Sequence, residues 1–457
     1  MMSDAERRRA EIVRADKQRV WHPYTPMDRY IAETDPLVID RASGSMLHDV
    51  DGKSYIDANA SWWVSTLGHG HPRLVEAMTR QAQRLCHVSL AGVAHEGAAM
   101  LAEELCAVAP EGLTRVFYSD DGSTAVEAAI KMAAQLWRNE GRPEKKRFVA
   151  LDGAFHGETV GAASLGGIEV FRKPYAGVLF ECLRVPPPVN GEREEGDASG
   201  AGDGGEAGGY GAVFGALVKL LAERGDEIAG VVLEPLVQGA TGMRMYPASY
   251  LSAAKRACAE HDVLLIADEV FTGYGRTGEM WACDRAGISP DILCTAKGFS
   301  GGILPMAATL VSERVFDAFR GAPDRAFFYG HSYCGNPLGA AIAREALAVM
   351  REEEIVARAR PKAARIAQAF ADLAKVPGVA SVRSLGMIGA LDLAEDVSYL
   401  GQTGWRVYEE ARRRGAYLRP LGDVVYVAPA LNIGDDVLDR LLEIVGESVR
   451  AAVSSGG

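Results

Sequence analysis

Short apolar runs alternate with amphipathic helical stretches from about residue 95 to residue 300, and this alternation constrains the fold more than any other feature. The apolar runs are continuous, which is typical of strands that are buried on both faces. Strands are predicted at 114–118, 147–151, 227–233, 263–267 and 292–296, and helices at 97–108, 123–139, 214–224 and 250–260. This order predicts an α/β fold built on a mainly parallel sheet.

The chain has 457 residues, which is beyond the size at which one hydrophobic core stops growing. Further elements are predicted as helices at 5–19, 72–84 and 335–354, as strands at 37–39 and 54–57, and after residue 355 as helix, strand, helix, strand, helix. We therefore expect a large domain at 70–334, and a smaller α/β domain made from the N-terminal segment 1–69 and the C-terminal part 335–457.

The composition excludes several classes of function. Lys and Arg number 49 and Asp and Glu number 61, and the formal charge of −12 argues against binding to nucleic acid or to an anionic membrane surface. No Cys-x-x-Cys occurs, and His69 and His71 lack further ligands nearby, so no metal site is predicted. Without a signal-peptide core or a bilayer-spanning run, we expect a cytoplasmic protein. Residues 186–211, rich in glycine and acidic side chains, are predicted to be a mobile surface insertion.

Two apolar strands deliver a carboxylate and a lysine to the edge of the predicted sheet. Asp268 follows the run 263–267, Lys297 follows the run 292–296, and glycines after the lysine allow a ligand close to the backbone. Taken alone, Asp268 suits a turn and Lys297 suits a solvated surface. As a pair they suit pyridoxal phosphate (PLP), because the lysine forms a Schiff base with the aldehyde and the aspartate keeps the pyridinium nitrogen protonated. PLP is therefore the predicted cofactor.

Further residues suit the rest of such a cofactor. The stretch 121–124 (Asp-Gly-Ser-Thr) lies where a strand ends and a helix begins, which suits a phosphate, although an ordinary helix cap has the same pattern. Phe155 follows another strand and offers a face for stacking on the ring, or serves as a core aromatic. His156 suits a hydrogen bond to Asp268, or a turn.

Arginine and tryptophan residues are the candidates for substrate binding. Arg419 follows an apolar strand, and its fork suits a carboxylate, although a single arginine is more often a surface residue. Glu234 ends another strand, where it suits either an ion pair with a substrate-binding arginine or a helix cap. The adjacent Trp62 and Trp63 cannot both point into one core from an extended segment, so one of them lines a pocket or packs between domains.

Together these motifs resemble the class III aminotransferases, which are PLP-dependent enzymes of fold type I. The motifs are SDDGSTAVEAAIKM, GAFHGET, EPLVQG, LLIADEVFTGYGRTG, CTAKGFSGG and GHSYCGNPLG, and the resemblance covers about residues 20–450. It implies a homodimer with active sites at the interface, in which Lys297 is the Schiff-base lysine and proton carrier and Asp268 its catalytic partner. It implies cofactor contacts from Gly122, Ser123, Phe155, His156, Asp268, Val270 and Lys297, with Ser332 contacting the phosphate from the other subunit. It implies substrate contacts from Tyr24, Trp62, Trp63, Gly330, Arg419 and Tyr426.

Within this family, WHPYTPM, SWWV, VQGATGMRMY and AYLRPLGDVVYVAP look like the branch that aminates 8-amino-7-oxononanoate in biotin biosynthesis. Phe155 stands where that branch usually has tyrosine and His331 where it often has proline, while GHSYCGN looks like enzymes that take lysine as donor. S-adenosylmethionine is favoured over lysine as donor because Trp62 and Trp63 are both present. The alternatives are a class III aminotransferase for another ω-amino acid or a polyamine, and a PLP-binding regulator, against which the intact pair of Asp268 and the lysine argues.

Overall fold

The computed structural model describes residues 3–188 and 211–454. Its strands are β1 (Ile39–Ser43), β2 (Met46–Asp49), β3 (Ser54–Asp57), β4 (Leu113–Ser119), β5 (Arg147–Leu151), β6 (Leu183–Val185), β7 (Ile228–Leu233), β8 (Val237–Gln238), β9 (Arg244–Met245), β10 (Leu264–Asp268), β11 (Ile292–Thr295), β12 (Ala307–Ser312), β13 (Ser381–Leu385), β14 (Ile388–Asp392), β15 (Ala416–Tyr417) and β16 (Val424–Val427). Its helices span Asp4–Arg19, Met27–Glu33, Pro72–Arg84, Glu96–Val108, Gly122–Asn139, Val160–Leu165, Glu169–Arg172, Gly211–Arg224, Ala248–Glu260, Ala282–Arg285, Glu313–Asp317, Pro337–Glu352, Ile355–Leu373, Thr403–Arg414 and Asp435–Ser454, and a single irregular turn spans Ala60–Trp63. Single 3-10 turns lie at Lys173–Tyr175, Gly225–Glu227, Lys297–Ser300 and Pro323–Arg325.

A central sheet of seven strands, counted over the described residues, carries the large part of the molecule. Its order is β4-β12-β11-β10-β7-β5-β6. Neighbouring strands pair in parallel except at β12, which runs antiparallel to both β11 and β4. The prediction of an α/β fold with a mainly parallel sheet is therefore confirmed. The predicted strands and helices of this region are all present, with ends that agree within three residues.

The sheet separates two hydrophobic cores, which explains its continuous apolar strands. Along β10, Leu265 belongs to one core, and Leu264 and Ile266 belong to the other. The helix Ala248–Glu260 packs into the first core and the helix Gly122–Asn139 into the second. Because successive side chains of a strand point to opposite faces, a strand covered on both faces must be apolar at every position.

Two smaller sheets involve both ends of the chain. Strands β1, β2 and β3 form an antiparallel meander, and β15 from the C-terminal part pairs in parallel with β3. Strands β13, β14 and β16 form an antiparallel sheet, and the helices Ile355–Leu373 and Asp435–Ser454 pack together beside it. The N-terminal segment is thus hydrogen-bonded to the C-terminal part, while the domain limits at 69/70 and 334/335 stay a prediction.

The sequence prediction missed several elements of these smaller sheets. Strand β2 was not predicted, and the strand predicted at 37–39 begins only at Ile39 and continues to Ser43. Strands β1 and β2 form a hairpin joined by a short turn. The first of the two strands predicted after residue 355 is a hairpin of β13 and β14. In the central sheet, strand β6 and the antiparallel strand β12 were not predicted either. Residues 189–210 of the predicted mobile insertion lie outside the described residues.

Across the two described ranges, no helix is long and apolar enough to cross a membrane.

Candidate active site

The central sheet brings Asp268 and Lys297 to the same edge. Asp268 is the last residue of β10 and pairs in register with Cys294 of β11. Lys297 begins the 3-10 turn that follows β11, with a left-handed backbone angle φ of 44°. The carboxyl ends of parallel strands are where open α/β sheets bind ligands. The two residues that the sequence singled out therefore lie at the expected end of the sheet.

A cavity of about 520 Å³, which we call the lysine cavity, lies above this edge. Predicted site residues that line it are Trp63, Gly122, Ser123, Phe155, His156, Asp268, Val270 and Lys297. They come from separate parts of the chain and were predicted from separate motifs. Their convergence on one cavity is the main geometric result for the site.

Asp268 is buried and held by two hydrogen bonds. His156 Nδ1 lies 2.7 Å from Asp268 Oδ2, and the Val270 N–H donates to Asp268 Oδ1 over 3.1 Å. An ionised carboxylate only accepts hydrogen bonds, so the histidine ring nitrogen is the donor in that state. The predicted bond between His156 and Asp268 is therefore present.

Lys297 is surrounded by aromatic rings and carboxylates. Its Nζ lies 4.8 Å from the centre of the Trp63 ring and 6.0 Å from that of Phe271. Burial lowers the pKa of Lys297 to about 8, while the charges of Asp268 and Glu234 oppose this shift. An amine with a pKa near neutral pH can both accept and release a proton during a reaction.

Glu234 does not form the arginine ion pair that the sequence allowed. Its two carboxylate oxygens accept the backbone N–H groups of Phe155 at 3.0 Å and Gly239 at 2.9 Å. Burial raises the pKa of Glu234 to about 7. In this structure the side chain fixes the loop that carries Phe155.

The other end of the lysine cavity is the start of the helix Gly122–Asn139. Asp121 caps this helix, because its side chain accepts the Thr124 N–H. The first N–H groups of a helix have no partner within it and attract anions. The Ser123 hydroxyl accepts the Thr159 N–H over 2.9 Å and also lies 2.9 Å from the Thr159 hydroxyl. An added Cβ on Gly122 would lie 2.7 Å from Val270 Cγ1, so glycine lets these two residues line the cavity together.

These groups fit PLP. The helix start and the Ser123 hydroxyl match a phosphate, and the buried carboxylate of Asp268 matches a pyridinium nitrogen. The amine of Lys297 matches an aldehyde, and the lysine cavity has apolar walls at Phe155 and Val270.

A second cavity of about 970 Å³, the arginine cavity, contains Arg419 and Tyr24. The Arg419 guanidinium carbon lies 5.4 Å from the ring centre of Trp62 and 5.4 Å from that of Trp405. Tyr24 packs edge-on against Trp62 at 5.3 Å and donates its hydroxyl to Glu158, which lines the lysine cavity. The two cavities therefore meet at these side chains.

Tyr426 lies below the tryptophans. It is buried, and its hydroxyl accepts a hydrogen bond of 3.1 Å from Trp63 Nε1. Tyr426 therefore supports a wall of the lysine cavity from behind.

Four predicted residues line neither cavity: Trp62 and Tyr426, described above, and Gly330 and Ser332. Gly330 and Ser332 are exposed, and neither lines the lysine cavity of its own chain. The predicted contact of Ser332 with a cofactor would have to be made to another subunit. Between them, His331 Nδ1 lies 2.9 Å from Asp120 Oδ2, and Cys334 Sγ accepts the His331 N–H. Asp120, His331 and Cys334 are residue types that bind metals, and their ligand atoms lie within 4.8 Å of one another. The two hydrogen bonds of His331 account for this proximity.

Several residues near the site were missed from the sequence. Glu158 and Phe271 line the lysine cavity. Both stand in motifs in which only neighbouring residues were assigned a role. Trp405 lies on the helix Thr403–Arg414 and carries no sequence signal, because helix periodicity alone does not show which side chain meets Arg419.

Comparisons with known proteins agree over nearly the whole chain. The aminotransferase class-III family matches residues 30–449. Adenosylmethionine-8-amino-7-oxononanoate aminotransferase of Geobacter sulfurreducens is 39% identical over 442 residues, which cover 95% of this chain and 96% of that protein. The crystal structure of the enzyme of the same name from Methanocaldococcus jannaschii has a TM-score of 0.89 at 33% identity, over 97% of this chain and 99% of that one. An ω-transaminase from Pseudomonas jessenii in complex with PMP has a TM-score of 0.88 at 29% identity, over 97% of this chain and 98% of that one. The chain therefore belongs to the class III aminotransferases, which are PLP-dependent enzymes.

Proposed function

We propose that this aminotransferase converts 8-amino-7-oxononanoate to 7,8-diaminononanoate in biotin biosynthesis, with S-adenosylmethionine as the amino donor. The names of the relatives from Geobacter sulfurreducens and Methanocaldococcus jannaschii contain adenosylmethionine and 8-amino-7-oxononanoate, and they support this assignment. The acceptor is a small molecule with a carboxylate at one end and a ketone next to its amino group. The enzyme therefore has to bind an anion at a distance from the reacting carbon.

The observation that carries the proposal is the position of Arg419. Its guanidinium lies against the Trp62 and Trp405 rings, and the arginine cavity, which Arg419 and Trp405 line, adjoins the cavity of Lys297. A guanidinium offers a planar fork of donors that matches a carboxylate. Aromatic rings restrict the motion of the guanidinium without using up its N–H groups. Arg419 is thus suited to hold the carboxylate of the acceptor while its ketone reaches Lys297.

The residues of the lysine cavity have separate tasks in the proposal. Bound PLP supplies an aldehyde that captures the amine and a protonated ring that withdraws electrons from the adjacent carbon. Asp268, held by His156 and the Val270 N–H, would offer its carboxylate to the pyridinium nitrogen of the ring. Ser123 and the helix start hold the phosphate, and Phe155 and Val270 form the apolar walls.

Lys297 carries the proton in both half-reactions. Its amine would take the proton from the donor carbon that bears the amino group and pass it to the cofactor in the first half-reaction. In the second half-reaction it would take that proton back and pass it to the acceptor carbon. The lowered pKa of about 8 suits both directions. The aromatic rings of Trp63 and Phe271 lie beside its Nζ and form apolar walls there. Because one site takes two substrates in turn, the kinetics are of the ping-pong type.

The identity of the donor is the finer part of the proposal. The paired tryptophans and the relatives' names favour S-adenosylmethionine, whereas Phe155 lacks the hydroxyl of the tyrosine expected at that position and favours lysine. Tyr24 and Glu158 lie where the two cavities meet and offer a hydroxyl and a carboxylate to a cationic donor.

A direct assay tests the function and the donor together. Protein loaded with PLP is incubated with 8-amino-7-oxononanoate and either S-adenosylmethionine or L-lysine, and the diamine is measured by mass spectrometry. We expect diamine with S-adenosylmethionine. Diamine formed with lysine alone would change the donor, and no diamine with either donor would reject the assignment.

A pair of matched arginine variants tests the role of Arg419. Arg419→Lys keeps the charge but loses the fork, so KM for 8-amino-7-oxononanoate should rise while the half-reaction with the donor stays unchanged. Arg406→Lys, on the wall of the same arginine cavity, is the control and should leave both half-reactions unchanged. Equal effects of the two substitutions would reject the role of Arg419.

We also propose a cytoplasmic homodimer with shared active sites. The exposed Ser332 lies between the large exposed aromatic residues Phe328 and Tyr333, which a partner subunit would cover. All seven cysteines are free thiols, which suits a reducing compartment. Light scattering should give twice the mass of one chain. Inactive Lys297→Ala and impaired Ser332→Trp subunits should regain activity when mixed, because one of the two sites in a hybrid is intact, and no regain would reject shared sites.

A further inference from the structure

Four consecutive residues beside the lysine cavity have left-handed backbone geometry. The φ angles are 45° at Ala60, 46° at Ser61, 66° at Trp62 and 74° at Trp63. None of the four is glycine, and L-residues adopt this region only at a cost in free energy. Non-glycine residues visit it singly, so a run of four needs strong support from its surroundings.

Asp57 provides hydrogen bonds that hold this turn. It ends β3 and is only 1% exposed. Its Oδ2 accepts the Ser61 N–H at 2.7 Å and the Ser61 hydroxyl at 3.0 Å, and its Oδ1 accepts the Asn59 N–H at 3.2 Å. His69 Nε2 lies 2.8 Å from Asp57 Oδ2 and completes its set of partners.

Asn59 connects the same turn to the C-terminal part of the chain. Its Oδ1 accepts the backbone N–H of Arg419 at 2.7 Å, and its Nδ2 donates to the carbonyl of Tyr426 over 3.2 Å. Asn59 itself is 1% exposed. The backbone that carries Arg419 is therefore fixed to the residue that precedes the left-handed turn.

The turn places two indole rings at two different parts of the site. The Trp62 ring lies against the guanidinium of Arg419, and the centre of the Trp63 ring lies 4.8 Å from Lys297 Nζ. A change of the turn toward ordinary right-handed geometry would redirect both side chains at once. The carboxylate of Asp57 has no hydrogen bond to either indole ring, so it acts on them through Asn59 and Ser61 of the turn that bears them.

We propose that Asp57, supported by His69 and Asn59, is a positioning residue that sets the places of Trp62 and Trp63 at the same time. This inference rests on the roles proposed above for the two tryptophans. In this proposal the buried carboxylate of Asp57 controls two places at once. One is Trp62 beside Arg419, which binds the acceptor, and the other is Trp63 beside Lys297, which transfers the proton.

The substitution Asp57→Asn tests the proposal with little change in shape. It replaces one accepting oxygen by an NH₂ group, which only donates, so one of the two N–H groups of Asn59 and Ser61 loses its acceptor. We expect KM for the oxo acid to rise and kcat to fall, with kcat/KM lower by about 10- to 100-fold, as for a displacement of about 1 Å.

Asp49→Asn is the matched control. Asp49 lies in the same sheet, is buried, and its Oδ1 also accepts two backbone N–H groups, those of Asp51 and Lys53, but it holds a turn that contacts neither cavity. This substitution should leave kcat and KM unchanged, even where the thermal midpoint falls as much as in Asp57→Asn.

A second measurement is independent of the loaded enzyme. Near-ultraviolet circular dichroism of the cofactor-free protein reports the surroundings of the indole rings. Asp57→Asn should change the indole bands that Trp62→Phe and Trp63→Phe identify, and Asp49→Asn should leave those bands unchanged. Adding Ser61→Gly to Asp57→Asn should restore part of the lost kcat/KM, because glycine adopts the left-handed region without the Cβ penalty.

The outcomes separate this inference from the proposed function. If Trp62→Phe and Trp63→Phe leave the kinetics unchanged, the proposed roles of the tryptophans fail. If they impair the enzyme while Asp57→Asn keeps wild-type kinetics and a wild-type indole spectrum, the positioning role is overturned. A double variant no better than Asp57→Asn would also overturn it.

Discussion

The close contact between Gly122 and Val270 predicts that one added methyl group weakens the binding of PLP. In Gly122→Ala, the new Cβ would lie 2.7 Å and 3.0 Å from the two Val270 methyl groups. Normal contacts between carbon atoms are about 3.5–4.0 Å, so the valine side chain must move by about 1 Å. The Val270 backbone is held by its N–H bond to Asp268, so the Val270 side chain has to move instead. Because this side chain lines the lysine cavity, its movement narrows the space for PLP.

Overpacking of this kind costs about 1–3 kcal/mol. A loss of about 2 kcal/mol that appears fully in the complex raises the Kd for PLP by about 30-fold. Val270→Ala removes the two methyl groups that meet the new Cβ. The double variant Gly122→Ala/Val270→Ala should therefore bind PLP more tightly than Gly122→Ala alone.

The assay is a titration of the cofactor-free protein with PLP, followed by equilibrium dialysis or by quenching of tryptophan fluorescence. Gly177→Ala is the control, because an added Cβ there meets no atom within 4 Å. Its Kd for PLP should equal that of the wild type. Wild-type affinity in Gly122→Ala, or a double variant as weak as the single one, would refute the steric reasoning.

Three further predictions follow from the site and its surroundings. Lys297→Ala should abolish formation of the diamine without lowering the thermal midpoint, because burial disfavours the ammonium group; wild-type turnover would contradict this. Trp405→Ala should raise KM for the oxo acid by about 5- to 30-fold, since a ring–cation contact contributes about 1–2 kcal/mol, whereas Trp21→Ala, at an 87% exposed residue, should not. Burial raises the pKa of Glu269 from 4.5 to about 7, so the folded state binds this proton more tightly than the unfolded chain does. Its ionisation should therefore lower the free energy of unfolding by about 3 kcal/mol as pH rises from about 4.5 to 7, and denaturant titrations should show that Glu269→Gln removes this slope.

The large sheet and the lysine cavity could be predicted because their signals are local and strong. Each buried strand is one apolar run, and strands of a parallel sheet end at a common edge. Asp268 and Lys297 had to lie near each other once their two runs were recognised as neighbouring strands. His156 followed from the same reasoning, and its bond to the aspartate is present.

The arginine cavity could be predicted only in part. Arg419 and Trp62 were singled out, but Trp405 is one of many helix residues, and its contact depends on how a distant helix docks. The left-handed turn that presents Trp62 has no glycine to announce it. Its geometry is imposed by Asp57, which the sequence presents as an ordinary strand residue.

The pairing of β10 with β11 has a consequence for the robustness of the catalytic centre. Asp268 is aligned with Cys294, three positions before the lysine, so the separation of acid and amine is fixed by a ladder of backbone hydrogen bonds. After the turn that bears Lys297, the chain returns through β12, which pairs antiparallel with β11 on the side away from β10. The turn is therefore held by a paired strand before it and a paired strand after it. A slip of one residue in that ladder would turn every side chain of β11 to the opposite face. Substitutions deep in these strands, far from any substrate, should accordingly disable the enzyme in an all-or-none manner rather than tune it.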